Sequence, residues 1–267
     1  MLVDTHCHLD APEFDFDRDE VVAAARRAGV GTMVIPAVER SNFGAVAAIC
    51  RGYPGCAAAY GIHPMYVEHA RDDDLGVLRE TLVTHAESVV AVGEIGLDHF
   101  VSGGDEKRQE FFFVEQLKLA RELELPVILH VRRAIDAVLR QLRRHRQLGG
   151  IAHAFNGSRQ QADEFIKLGF KLGFGGVMTY PRALRVRDMA ASLPIDAIVL
   201  ETDAPDIPPE WLAKRRNQPV ELPRIARELA RLRGLSVEEV VGKTTENATK
   251  ALPRLKPLTI QTRQEPA

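Results

Sequence analysis

A repeating alternation of short apolar runs and amphipathic helical patterns is the feature that most constrains the fold of this chain. Short continuous runs rich in Val, Ile and Leu indicate strands that are buried on both faces. Strands that alternate with helices pair in parallel through right-handed crossovers. The predicted strands lie at residues 2–4, 32–38, 56–62, 89–92, 127–129, 150–152, 171–174 and 197–200.

Eight strand–helix units in about 250 residues have the size of a (β/α)8 TIM barrel, which is an α/β fold. A doubly wound open sheet is the alternative, but no Gly-x-Gly-x-x-Gly follows the first predicted strand. We therefore predict a single TIM-barrel domain over residues 1–252 and a loosely packed or disordered tail over 253–267. The predicted helices lie at 17–28, 43–51, 75–85, 107–123, 134–147, 159–168, 182–192, 221–233 and 237–252.

The charge balance and the cysteines limit the classes of function. The net charge is −2 and the pI is about 6.5, whereas a domain that binds DNA through a basic surface has a pI above about 9. Three cysteines without C-x-x-C spacing suit a reducing cytoplasm. Neither a signal peptide nor an apolar run long enough to span a membrane is visible. We expect a cytoplasmic protein without a membrane or an obligate protein partner, and the oligomeric state is left open.

Polar residues concentrate where the predicted strands end. The carboxyl ends of the strands of a TIM barrel form one mouth, and active sites lie there. His6 and His8 are two positions apart in a strand, so both side chains face the barrel axis. Five of the nine histidines and two carboxylates fall at such strand ends: His6, His8, His63, His130, His153, Glu94 and Asp203.

Without His63, this set offers six ligands, which is more than one tetrahedral zinc site with an open position requires. Six ligands suit two divalent cations roughly 3.5–4 Å apart with one bridging carboxylate. Imidazoles favour Zn²⁺ or Mn²⁺, whereas a phosphate substrate also allows Mg²⁺. We therefore predict two divalent metal cations per chain, with the ligands His6, His8, Glu94, His130, His153 and Asp203.

Six motifs at these strand ends resemble those of the TatD family of metal-dependent hydrolases, and in particular its YjjV branch. They occur in order and span residues 2 to 252. The motifs are Asp4-Thr5-His6-Cys7-His8, Gly61-Ile62-His63-Pro64, Gly93-Glu94-Ile95-Gly96-Leu97-Asp98, Pro126-Val127-Ile128-Leu129-His130, His153-Ala154-Phe155-Asn156-Gly157-Ser158 and Glu201-Thr202-Asp203-Ala204-Pro205.

The resemblance implies an amidohydrolase-like TIM-barrel hydrolase with two divalent cations, and deoxyribonuclease activity in the best-known members. It implies that Glu94 bridges the two cations. The other ligands of one cation would be His6, His8 and Asp203, and those of the other His130 and His153. Val131 and Gln218 depart from residues common in the family. Neither is a ligand, and both leave the choice of substrate open.

The predicted activity is hydrolysis of phosphodiester bonds in DNA by an activated water. Asp203 and Glu94 are the predicted catalytic residues. Asp203 would take the proton of the water, and a role restricted to metal coordination is the alternative. Arg132 is a candidate for phosphate binding. His63 is a candidate for substrate contact, with a structural role as the alternative.

Several neighbouring residues receive supporting roles. Glu201 is predicted to hydrogen-bond a ligand histidine, with metal contact as the alternative. Asp98 is predicted to cap the loop that follows it, with substrate contact as the alternative. The basic segments 182–187 and 214–216 are candidates for guiding a polyanion toward the mouth.

Two other functions remain open. One is an ester or amide hydrolase, such as a D-aminoacyl-tRNA deacylase or a small-molecule amidohydrolase. The other is a metal-binding barrel without turnover. The six-ligand set argues against the second, because a scaffold has no need for open coordination positions.

Overall fold

Eight parallel strands follow one another in chain order around a barrel, as the alternation predicts. The structure is a computed structural model and describes residues 1–100 and 104–256. Its strands are β1 (Leu2–Asp4), β2 (Val30–Pro36), β3 (Cys56–Tyr60), β4 (Val89–Asp98), β5 (Val127–Arg132), β6 (Gly150–Ala152), β7 (Phe170–Phe174) and β8 (Ile198–Leu200).

The barrel closes just beyond the ends of β1 and β8. Cys7 and Ala204 form an isolated parallel bridge. The Thr5 amide donates to the Leu200 carbonyl at 3.1 Å, and the His8 amide donates to the Ala204 carbonyl at 2.8 Å. These bonds place the segments that carry the first and last candidate ligands side by side.

Helices connect the strands at the predicted positions, and their ends differ from the prediction by at most two residues. Capping accounts for several of these ends: Ser158 and Ser236 form capping boxes at the starts of α6 and α9. The helices are α1 (Arg18–Arg27), α2 (Phe43–Gly52), α3 (Asp74–Thr84), α4 (Glu106–Glu122), α5 (Ile135–His145), α6 (Arg159–Lys167), α7 (Leu184–Ser192), α8 (Leu222–Arg233) and α9 (Val237–Ala251). No helix in the described part of the chain has both the length and the hydrophobicity needed to cross a membrane.

Strands β4 and β5 extend further than their apolar runs indicate, by six and three residues. Gly96 makes this possible: its φ is +152°, and a Cβ there would lie 1.9 Å from the His130 carbonyl oxygen. Only glycine permits this approach. The extra pairs hold Asp98 and His130 on paired strands, and Glu94 lies in the register shift just before them.

An apolar layer inside the barrel lies beneath the polar mouth. It includes Ile128, Ile151 and Val199, which pack with the end of α9. Because side chains two apart in a strand share a face, His130, His153 and Glu201 follow on the same side. Leu255 is buried in this layer. The predicted tail over 253–267 stays a prediction, since residues 257–267 lie outside the described part of the chain.

Candidate metal centre

Two imidazoles and two carboxylates converge at the ends of β1, β4 and β8. His6 Nε2 lies 3.1 Å from His8 Nε2 and 3.1 Å from Glu94 Oε2. Asp203 Oδ1 lies 3.5 Å from His6 Nε2 and 3.6 Å from His8 Nε2. Two facing imidazole nitrogens repel each other unless a proton or a cation lies between them. The donor set therefore fits a divalent cation of the kind that imidazole and carboxylate bind together.

A second group of imidazoles surrounds the other oxygen of Glu94. Its Oε1 lies 3.0 Å from His130 Nδ1, 3.0 Å from His153 Nε2 and 3.5 Å from His63 Nε2. Glu94 is 2% exposed and lies between these two groups at the bottom of the mouth. The potential ligand atoms form three overlapping sets, and within each set all atoms lie within 4.8 Å of one another. The sets are His6, His8 and Asp203; His6, Glu94 and His153; and His63, Glu94 and His130.

Asp98 orients the ring of His130. Its Oδ2 lies 3.0 Å from His130 Nε2, and its Oδ1 accepts a hydrogen bond from the Phe100 amide at 2.8 Å. A proton on His130 Nε2 leaves the Nδ1 lone pair facing Glu94 and the site. The predicted capping role of Asp98 is present in the structure, and the contact with His130 is an additional one that the sequence pattern did not indicate.

Glu201 lies beside His153, but the predicted hydrogen bond between them is not formed, because the two atoms are too far apart. Its Oε1 is 3.7 Å from His153 Nδ1 and accepts a hydrogen bond from the Ala154 amide at 2.5 Å. The buried Glu201 Oε2 and His153 Nδ1 have no hydrogen-bond partner among the described residues. Glu201 therefore supplies negative charge behind His153.

His63 faces the centre with a donor and not with a lone pair. Its Nδ1 accepts a hydrogen bond from the Met65 amide at 3.1 Å. Burial lowers the pKa of His63 to about 4, so the ring is neutral at pH 7. A neutral ring whose Nδ1 accepts carries its proton on Nε2. His63 is thus placed to donate a hydrogen bond into the mouth.

Burial and the neighbouring charges together shift the pKa values of the histidines and carboxylates of the site. Burial and the neighbouring His153 lower the pKa of His6, which favours the neutral ring that binds metals. The pKa of Glu94 is lowered, because the surrounding histidines outweigh its burial. Burial also opposes protonation of His153, yet Glu94 and Glu201 raise its pKa. The acidic groups therefore attract positive charge, which a cation can supply in place of a proton.

Buried hydrogen bonds fix the loop that carries Asp203. Burial raises the pKa of Asp4 to about 7; its side chain accepts from the Thr202 amide at 2.9 Å and hydroxyl at 2.6 Å. The Asn217 side chain donates to the carbonyls of Thr202 at 2.8 Å and Asp206 at 2.9 Å. Asp203 itself has a φ of +57°. Neither Asp4 nor Asn217 has a role predicted from the sequence, although a polar residue inside a ligand motif was a signal for Asp4.

A cavity of about 890 Å³ opens over this centre, and Arg132 is part of its wall. The two basic segments predicted to guide a polyanion are largely occupied by internal contacts. Arg187 pairs with Glu228 at 2.8 Å, and Arg216 pairs with Asp17 at 2.5 Å. These guanidinium groups stabilise the packing of the loops and helices.

Comparison with known proteins places the chain among metal-dependent hydrolases. The family model "TatD related DNase" matches residues 3–253. The chain is 42% identical to the uncharacterized metal-dependent hydrolase YjjV of Escherichia coli over 247 residues, covering 92% of this chain and 95% of that protein. It is 36% identical over 261 residues to a protein of Cronobacter sakazakii named 3'-5' ssDNA/RNA exonuclease TatD, with 93% and 97% covered.

A solved structure of the E. coli YjjV protein superimposes with a TM-score of 0.90 at 41% identity, covering 94% of this chain and 98% of that one. The barrel, the groups at its mouth that could hold a metal and the sequence matches over more than nine-tenths of the chain agree. The chain belongs to the TatD family of metal-dependent hydrolases.

Proposed function

We propose that this protein is a deoxyribonuclease that hydrolyses phosphodiester bonds with two divalent cations. The observation that carries the proposal is the position of Glu94, whose two oxygens face different imidazoles: Oε2 faces His6 and His8, and Oε1 faces His130 and His153. A carboxylate between two ligand groups is the arrangement expected for a dinuclear centre. The name of the Cronobacter relative, an exonuclease for single-stranded DNA and RNA, supports a nucleic-acid substrate.

One cation would be held by His6, His8 and Asp203, and the other by His130 and His153, with Glu94 shared. Divalent cations at this place would lower the pKa of water and neutralise the charge that develops on phosphoryl oxygens. The set of imidazoles and carboxylates suits Zn²⁺ or Mn²⁺ and allows Mg²⁺.

The protein's own side chains divide the remaining work. Asp203 lines the cavity, so its carboxylate can orient the attacking water and accept its proton. The Nε2 proton of His63 points toward the centre, where it can donate a hydrogen bond to a phosphoryl oxygen or to the leaving oxygen. Arg132, at the edge of the same cavity, supplies a guanidinium for a phosphate of the substrate.

A second candidate is hydrolysis of a carboxylic ester with an amino group nearby, as in a D-aminoacyl-tRNA. One observation favours it: four carboxylates, Asp10, Glu13, Glu39 and Asp206, line one side of the cavity. None of them forms a salt bridge within the described residues, so together they could bind a substrate ammonium group.

The test is a cleavage assay with purified protein, labelled single-stranded DNA and Mg²⁺, Mn²⁺ or Zn²⁺. We expect shortening of the DNA by the wild type and a loss of at least about a hundredfold in Asp203→Asn, the smallest effect typical of a lost general base. D-aminoacyl-tRNA is tested in parallel under the same conditions.

The outcome separates the candidates. Equal cleavage by the wild type and Asp203→Asn would attribute the nuclease to a contaminant and overturn the proposal. Hydrolysis of D-aminoacyl-tRNA without cleavage of DNA would replace it by the second candidate.

The three free cysteines, of which Cys7 is fully buried, support the proposal that the protein works in a reducing cytoplasm.

A further inference from the structure

An exposed aromatic ring and two guanidinium groups form a stack at one side of the mouth. The guanidinium carbon of Arg132 lies 3.6 Å from the centre of the Phe100 ring, and that of Arg133 lies 4.5 Å from it. Phe100 is 44% exposed, although it is a large apolar side chain. Within residues 1–100 and 104–256, neither arginine forms a salt bridge with a carboxylate. We call Phe100, Arg132 and Arg133 the stacking platform.

The backbone is arranged specifically to bring both arginines to one ring. Adjacent residues in an extended strand point to opposite sides, so Arg132 and Arg133 would not normally meet the same partner. Arg133 has a φ of +54°, a conformation uncommon for a residue with a side chain. This turn ends β5 and allows the two successive side chains to contact Phe100.

Asp98 connects the stacking platform to the metal centre. Its carboxylate accepts from the Phe100 amide through Oδ1 and contacts His130 through Oδ2. The His99 amide donates to the Arg132 carbonyl at 2.9 Å, which ties the two strand ends together. The stacking platform is therefore held at a fixed position beside the proposed ligand His130.

The opposite side of the mouth carries the other sign of charge. The four carboxylates Asp10, Glu13, Glu39 and Asp206 follow β1, β2 and β8, whereas the stacking platform follows β4 and β5. In an eight-stranded barrel with sequential strand order, β5 lies across the axis from β1. The negative charge on this side also affects Tyr66. Its partial burial, together with the charges of Glu39, Asp10, Asp206 and Glu13, raises the pKa of its hydroxyl.

From this asymmetry we propose that the stacking platform binds the nucleotide next to the scissile bond, so that a single nucleic-acid strand leaves the centre across β4 and β5. The inference rests on the proposed function and adds the path of the strand to it. A base stacks on the aromatic ring or on a guanidinium plane, and the two positive charges bind the adjoining phosphates. The acidic side repels further phosphates, so it holds only the terminal nucleoside.

The test compares two substrates of different size. One is an oligothymidylate of about twelve nucleotides, long enough to fill the 4–16 nucleotide sites typical of single-strand binding, and the other is bis(p-nitrophenyl) phosphate. For Phe100→Ala we expect a KM for the oligonucleotide about tenfold higher, which is within the range for loss of one base–aromatic stack. The small diester has no neighbouring base, so its kcat/KM falls much less. Phe100→Trp keeps a KM close to that of the wild type, because the indole provides another ring on which a base can stack.

Two matched variants serve as controls. Phe111 lies on α4 and is 42% exposed, almost the same as Phe100, and Phe111→Ala keeps the wild-type KM. Arg133→Gln lowers the slope of log affinity against log salt by about 0.7 for each phosphate that the variant no longer binds. Arg144→Gln, on α5, leaves that slope unchanged, and so does Phe100→Ala.

Two results would overturn the stacking platform. One is a KM for Phe100→Ala that equals that of Phe111→Ala. The other is an equal loss on both substrates, which would show that Phe100 supports the metal centre through Asp98. Binding of the labelled oligonucleotide, measured by fluorescence anisotropy, separates this inference from the proposed function. Binding that depends on Phe100 without cleavage of either substrate would retain the stacking platform and reject hydrolysis, and absence of both binding and cleavage would reject both.

Discussion

Two buried asparagines at opposite ends of β8 allow the positioning of Asp203 to be tested separately from global stability. Asn217 and Asn247 are both fully buried. The Asn217 side chain donates to three carbonyls near the Asp203 loop, those of Thr202, Asp206 and Ile207. The Asn247 side chain donates to the carbonyls of Ile195 and Ile198, where β8 begins, at 2.7 and 2.8 Å.

The expected loss of stability follows from these bonds. A hydrogen bond contributes about 1 kcal/mol net, and a buried acceptor left without a donor costs at least as much. Asn217→Ala removes two N–H donors, which three carbonyls share, and the oxygen that accepts from the Gln218 amide, so its free energy of unfolding should fall by about 3 kcal/mol. Asn247→Ala removes two hydrogen bonds and should lose about 2 kcal/mol. Urea denaturation followed by circular dichroism measures both values.

Activity should distinguish the two variants much more clearly than stability does. Asp203 has a φ of +57°, which costs about 1–3 kcal/mol and persists only while its surroundings hold it. Without Asn217 the loop can relax, and a displacement of about 1 Å in a catalytic group can reduce the rate about a hundredfold. We expect Asn217→Ala to lose at least about tenfold in kcat/KM and Asn247→Ala to remain close to the wild type. Equal losses in both variants would refute the positioning role of Asn217.

Two further substitutions test the framework of the site. Gly96→Ala places a Cβ 1.9 Å from the His130 carbonyl oxygen, so we expect a loss of about 3 kcal/mol or more in thermal or urea unfolding, and a wild-type transition would contradict the close approach of β4 and β5. Burial raises the pKa of Asp4 from 3.8 to about 7. As pH rises from about 4 to 7, the Asp4 carboxyl therefore loses its proton in the unfolded chain before it does so in the folded protein. This difference lowers the free energy of unfolding over that interval by up to about 4 kcal/mol. Asp4→Asn should therefore gain stability relative to the wild type over that interval in urea titrations at successive pH values, and a constant difference would show that Asp4 is ionised throughout.

The alternation of apolar runs and helical patterns was sufficient to predict the order and type of the elements of the barrel. It failed at the length of β4, because glycines such as Gly93 and Gly96 normally end a strand pattern, and at the length of β5, because His130 ends its apolar run. Gly96 instead allows β4 to approach β5 more closely than any other residue would. Pairing between strands is a tertiary effect, and the sequence of one strand does not reveal it.

The metal-ligand candidates could be predicted because strand ends in a barrel meet at one mouth, so spacing along the chain translates into proximity. The supporting contacts could not be predicted in the same way. The stack of Phe100 with Arg132 and Arg133 depends on a left-handed turn at Arg133. Arginine does not favour this conformation, so the sequence does not predict the turn. The tautomer of His63 likewise depends on the Met65 amide, whose position follows from the loop geometry.

The bridging role of Glu94 is the central claim, and the number of bound cations tests it most directly. We would load the protein with Mn²⁺, remove the free ion by gel filtration, and measure the metal by mass spectrometry and electron paramagnetic resonance. Two ions per chain with a spin-coupled signal are expected in the wild type, and fewer than two with an uncoupled signal in Glu94→Gln. One ion per chain in the wild type, or an unchanged coupled pair in Glu94→Gln, would contradict a dinuclear centre bridged by Glu94.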